Sequence, residues 1–146
     1  MGQQLRSMVR IGVLVLAGAL GAIPIPAARA EDMATSVWLH DDAYVSAGNA
    51  NVYIDIQCDP PGADWELTVR LTAVRDGAPT ATGSAKVTKI RCTGKPEQVP
   101  VLVKPDNHPF FRTSSALNTG VAELRKAGEP EPVATISRRM IFYLWN

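Results

Sequence analysis

Reactive and coordinating side chains are scarce in this chain. Its 146 residues include two cysteines, two histidines and three each of Trp, Tyr and Phe. Cys58 and Cys92 stand 34 positions apart with no C-x-x-C, a poor zinc pattern. His40 and His108 have no H-x-x-x-H or other fixed ligand spacing around them. Neither sign of charge is in excess, with 15 basic against 14 acidic residues. That excludes the basic stripe of a nucleic-acid binder and the polybasic run of a membrane-surface segment. G-x-S-x-G, S-x-x-K, P-loop and dinucleotide-binding signatures are all missing. No cofactor, metal site or catalytic residue is therefore expected, although convergent active sites are recognised by geometry and not by motif.

Long apolar runs are missing too, except at the amino terminus. Arg6 and Arg10 precede IGVLVLAGALGAIPIPA, and Ala28-Arg29-Ala30 follows as a small-x-small cleavage signature. These are the three parts of a secretory signal peptide. Pro24 and Pro26 cut the uninterrupted run below the roughly 20 residues that a spanning helix needs. No cysteine adjoins the cleavage point and the two arginines are not paired, so neither a lipid anchor nor a twin-arginine route is expected. Residues 1–30 read as the signal and 31–146 as one domain of common size. The signal takes three basic residues and no acidic one, leaving 12 basic and 14 acidic residues on the domain, a formal −2. Export would place Cys58 and Cys92 in an oxidising compartment, where a disulfide is the default over free thiols or metal ligation.

What the domain does have is alternation. In NVYIDIQC, Val52, Ile54, Ile56 and Cys58 alternate with Tyr53, Asp55 and Gln57. Pro60-Pro61-Gly62 interrupts, and the period of two restarts with Trp65, Leu67, Val69, Leu71 and Ala73. A third run, Thr80 to Cys92, puts Val87 out of phase with Ile90 and Cys92, which a β-bulge around Lys86–Lys89 would reconcile. Gln98 to Lys104 is another strand, placed at a sheet edge by Pro100. Leu117 to Leu124 is ambiguous: its second half tolerates a helix, but Asn118-Thr119-Gly120 disfavour one, and it reads as a strand. Val133 to Leu144 reads as a long last one, with Ile136, Met140, Phe142 and Leu144 as its core face. Thr35 to Leu39 supplies a short first strand, followed by a loop over 40–50. Seven strands without a helix predict an all-β, immunoglobulin-like two-sheet sandwich, with a small closed barrel as the alternative.

The motifs IQC-x6-WELTVRLT, GSAKVTKIRCTG and VPVLVKPD resemble a group of small secreted actinobacterial proteins with an immunoglobulin-like sandwich and no assigned activity. The resemblance spans about Asn51 to Leu144. It implies secretion and a sandwich, and carries over no catalytic residue. Antibody-type domains differ from this chain in joining their second and sixth strands, with a tyrosine two residues before the second cysteine. Here Cys92 closes the fourth strand, and Ile90 holds the tyrosine position. If the strands run alternately up and down, Cys58 and Cys92 meet at one pole beside loops 59–64 and 93–97. Loops 40–50, 75–80 and 104–114 then gather at the other, bringing His40 and His108 near Asp76.

Four aromatic residues stand out as binding candidates. Phe110 and Phe111, in HPFFR, either plug the end of the core or form an exposed contact. Tyr143 and Trp145 lie on the parity opposite to Phe142, so they are either covered or an exposed patch. The leading expectation is a secreted, non-enzymatic binding module whose partner is a protein or a component of the cell envelope. A structural envelope protein or small-ligand carrier is the second reading, and a small metal-dependent hydrolase the third. An exposed Tyr143/Trp145 surface favours the first, an internal apolar cavity the carrier, and His40 meeting His108 around carboxylates the hydrolase.

Overall fold

A computed structural model of the chain describes residues 34–145. The expected signal segment over 1–30, its expected cleavage site and Glu31 lie outside them. The described residues form eight strands and no helix: β1 (Ser36–Ser46), β2 (Asn49–Gln57), β3 (Asp64–Ala73), β4 (Ala81–Arg91), β5 (Glu97–Pro105), β6 (Thr119–Lys126), β7 (Ala134–Arg139) and β8 (Ile141–Leu144). Their order in the sheet is β7-β6-β3-β4-β5-β2-β1-β8. The strand pairing that joins the halves β7-β6-β3-β4 and β5-β2-β1-β8 is short, with Gly83 facing Pro105 and Ser84 facing Lys104. The two ends of this order, β7 and β8, are consecutive in the chain with Met140 alone between them. The sheet therefore curls until it is nearly closed. Arg138 of β7 reaches across the gap, its Nη1 donating to the Leu39 carbonyl of β1 at 3.1 Å.

The alternation in the sequence becomes the core directly. Val52, Ile54, Ile56 and Cys58 are buried from one side, and Trp65, Leu67, Val69, Leu71 and Ala73 from the other. Each large side chain so buried contributes about 1.5–3 kcal/mol. The expected bulge is present: Glu66 is skipped in the β3–β4 register at Thr88–Lys89, and Lys89 takes a φ of 58°. Pro100, which cannot donate to a ladder, lies in the stretch of β5 that is paired to β2 alone. Gly83 allows the two halves to meet, because a Cβ there would strike the Lys104 carbonyl oxygen and come within 2.9 Å of the Phe110 ring.

Cys58 and Cys92 are bonded, with Cα atoms 5.7 Å apart. Gly62 N–H donates to Cys92 O at 2.8 Å and Cys92 N–H to Ala63 O at 3.2 Å, fixing both neighbouring loops at that pole. At the other pole the Asn107 side chain accepts from Thr82 N–H at 2.8 Å and donates to Thr80 O at 3.1 Å. Phe110 N–H donates to Gly48 O at 2.9 Å, which brings the β1–β2 turn into the same group.

Three expectations are corrected. The first strand does not stop at Leu39. It skips His40–Asp42 in its register with β2 and runs on to Ser46. The loop expected over 40–50 shrinks to Ala47-Gly48, whose φ values of 49° and 79° give a two-residue hairpin turn. The last strand is two strands, because the chain leaves β6 at Met140 and joins β1 in parallel through Ile141–Leu144. Finally, Leu144 is not core but 56% exposed, because β8 ends at the rim of the sheet. Ile136 is only half-buried, while Met140 and Phe142 are buried as expected.

Asn118 holds the switch from β7 to β8 in place. It is completely buried and bonded at every polar atom of its side chain. Its Oδ1 accepts from Val74 N–H at 2.8 Å, and its Nδ2 donates to Thr113 O at 3.2 Å and to Met140 O at 3.1 Å. Thr113 in turn exchanges backbone hydrogen bonds with Phe142 at 3.1 and 2.8 Å. The loop after β5 thus braces the kink and the first half of β8.

Candidate functional site

The outer face of β8-β1-β2 carries an aromatic cluster, and strand parity builds it. Ala43 and Val45 point into the core, so Tyr44 points out; Val52 and Ile54 point in, so Asn51 and Tyr53 point out. The parallel pairing of β8 sets Tyr143 opposite Tyr44 while Phe142 enters the core opposite Ala43. The Tyr44 ring is the hub. Its centroid lies 6.0 Å from Tyr143 in a stacked arrangement, 5.4 Å from Trp145 edge-on and 6.4 Å from Tyr53 edge-on. Trp145 is anchored by its backbone N–H, which donates to Val45 O at 2.9 Å. Tyr143 and Trp145 remain 40% and 57% exposed. Ser46, Asn51, Tyr53 and Trp145 border an open cleft of about 260 Å³.

The two phenylalanines do not belong to this surface. Phe110 is 3% exposed and stacks on Phe142 at 5.7 Å, so it plugs the end of the core and is not an exposed contact. Phe111 is half-buried beneath the Arg75 guanidinium, 4.5 Å from its ring centroid. A similar stack sets Arg138 over Trp38 at 4.2 Å. Tyr44, Asn51 and Tyr53 were missed as site residues. Tyr53 was legible as an outward position of β2, whereas Tyr44 fell in what read as a loop.

His40 lies within β1, where its Nε2 donates to Asp55 Oδ2 at 2.9 Å; Gln98 Nε2 donates to Asp55 Oδ1 at 3.2 Å. His108 sits in the loop after β5, its N–H bonded to its neighbour's side chain, Asn107 Oδ1, at 2.6 Å. Among the described residues no three His, Cys, Asp or Glu side chains gather as a metal would require. Ser114 and Ser115 line a cleft with Arg75, Asp76 and Thr113. The Ser115 hydroxyl there accepts from Leu117 N–H at 3.2 Å, and no histidine borders the cleft. On the outer face of β3-β6, Glu123 accepts from Arg70 at 2.7 Å and Arg125 at 2.9 Å. The hydrogen bond from Arg70 is the main cause holding the Glu123 carboxyl below its ordinary value, and Arg125 adds to it against the opposing effect of burial.

Fold and site together define an all-β, disulfide-bonded domain with an exposed aromatic face. No family model and no curated protein matches the chain. Among solved structures, the solution structure of R. palustris CsgH is similar at 18% identity over 70% of this chain and 87% of that one, with a TM-score of 0.32. A likeness of that size carries no argument about activity or partner.

Proposed function

We propose that the protein is a secreted, non-enzymatic binding module of immunoglobulin-like architecture, acting outside the cell or at its surface. The grouping of strands supports the architecture. In chain order β1, β2 and β5 take the places of strands A, B and E, and β7, β6, β3 and β4 those of G, F, C and C′. β8 is then an extension of the last strand. The disulfide and the signal-like amino terminus accord with export. The observation that carries the binding reading is the exposure of Tyr143 and Trp145 against Tyr44. Aromatic rings with an apolar body and a polar tip are the side chains that dominate binding hot spots.

The partner is a component of the cell envelope or a secreted protein. The test is affinity capture from the culture of the producing cells, with the intact protein and with Tyr143→Ser/Trp145→Ser as baits. A ligand held by the first and lost by the second, at similar thermal stability, is the expected result. Capture that survives the double substitution would move the contact to the loop tips.

A further inference from the structure

The cleft beside the aromatic cluster has a definite chemistry. Tyr53 and Trp145 are two of its walls, and Asn51 and Ser46 are its polar lining; none of the four is charged. Asn51 stands on β2 between Tyr44 of β1 and Leu102 of β5 in the cross-strand row, so a rigid sheet positions it. Its amide offers two donors and an acceptor. Among the described residues neither that amide nor the Ser46 hydroxyl is engaged by another side chain or by the backbone, whereas Asn107 and Asn118 both are. A half-buried, unengaged amide between aromatic rings suits a ligand that presents apolar and hydrogen-bonding surface side by side.

We propose that this cleft binds one ring of a neutral polysaccharide, a deepening that rests on the binding-module reading above. A pyranose has a face of C–H groups that lies against an aromatic ring, and a rim of hydroxyls that both donate and accept. The Trp145 and Tyr53 rings match the first and the Asn51 amide and Ser46 hydroxyl the second. The uncharged lining offers an anionic ligand no counter-charge. The cleft volume of about 260 Å³ suits a single sugar ring. It lies just below the range of about 300–1,000 Å³ usual for drug-sized ligands. The cleft is open, and the rings of Tyr44 and Tyr143 continue from it across the sheet, so neighbouring units of a chain have further aromatic surface to lie on.

The test uses protein purified with the Cys58–Cys92 bond intact. Isothermal titration is run with cellohexaose, maltohexaose, mannohexaose and the hexamer of N-acetylglucosamine. At least one should bind with a Kd below about 1 mM. Trp145→Ala and Asn51→Ala should each weaken it about tenfold or more, as expected for a lost stacking surface and a lost hydrogen bond. Trp38→Ala, an exposed tryptophan outside the cleft, should change it less than about twofold, within the range of uninvolved surface positions. Binding by none of the four, or binding indifferent to Asn51→Ala, overturns the proposal. If no sugar binds but capture of a protein still depends on Tyr143 and Trp145, the sugar assignment falls and the binding-module reading stands. If the protein is a dimer that Trp145→Ala dissociates, a second copy occupies the rings and the sugar assignment likewise falls. Loss of both sugar binding and aromatic-dependent capture removes both readings.

Discussion

Replacing Asn118 with leucine should destabilise the domain more than any surface change, although the two side chains are close in size. The amide oxygen accepts from Val74 N–H, and the amide nitrogen donates to Thr113 O and Met140 O. Two carbonyls on one side and an N–H on the other leave no ambiguity in the orientation of the amide. Leucine can serve none of them. Thr113 O keeps its bond from Phe142 N–H, but Val74 N–H and Met140 O lose their partners. A buried polar group left unpaired costs about 1–3 kcal/mol. The expected loss is therefore about 2–5 kcal/mol, offset in part by the apolar side chain, against a typical domain stability of about 5–15 kcal/mol. Urea unfolding followed by near-ultraviolet circular dichroism reads it directly. At about 2 kcal/mol per molar urea, the middle of the usual range, the midpoint should fall by about 1–2.5 M. Hydrogen exchange should quicken first at Phe142 and Trp145, because the amide braces the kink from which β8 departs. Asn118→Asp adds a control with a sign. Its carboxylate would face two carbonyl oxygens, so its folded pKa is raised. The penalty is then full above that raised value and relieved as pH falls below it, when the acid can donate to one carbonyl. A loss below about 0.5 kcal/mol for Asn118→Leu, the size of an ordinary surface change, would refute the view that this amide holds the strand switch.

Reducing the Cys58–Cys92 bond, or replacing both cysteines with serine, should cost about 4 kcal/mol in the chain-entropy account of a loop of this length, measured by urea unfolding with and without reductant. Gly83→Ala should cost about 1–3 kcal/mol or more, since its methyl group meets a backbone carbonyl where the two halves join; an unchanged melting temperature would show that β4 and β5 can separate there freely. Tyr143→Ser/Trp145→Ser should lower stability by no more than about 3 kcal/mol, the value of two lost ring contacts with Tyr44, and a larger loss in thermal unfolding would make these residues core. Because Arg70 and Arg125 lower the pKa of Glu123, its ion pairs stabilise the domain above the ordinary carboxylate value of 4.5 and that contribution disappears as pH falls through the depressed value. The difference between wild type and Glu123→Gln should therefore narrow in acid. At neutral pH it should stay near about 1 kcal/mol or less, because the Arg70 side of the network is exposed.

The local period of two determined much of this molecule by itself. A strand's side chains alternate whatever it pairs with, so the buried faces of β2 and β3 were legible from Val52 to Cys58 and from Trp65 to Ala73. A one-residue mismatch between Val87 and Ile90 was enough to expect a bulge within Lys86–Lys89, and the pairing puts it at Thr88–Lys89. Strand parity also brought Cys58 and Cys92 to one pole, where they are bonded. Tertiary pairing decided what alternation cannot encode. β1 runs on past Leu39 because β2 lies beside it and absorbs the irregularity at His40–Asp42. Neither Tyr44 nor the turn at Ala47-Gly48 could be placed without that partner. The break at Met140 depends on Asn118, Thr113 and Val74, which are remote in sequence and meet only in the folded chain. The same break carries the last four residues of strand from β6 to β1, turning Phe142 onto Phe110 and leaving Tyr143 and Trp145 outside with Tyr44. The aromatic face is thus assembled from three strands, and exposure at each position follows from where the sheet ends, a property of the pairing and not of the residue.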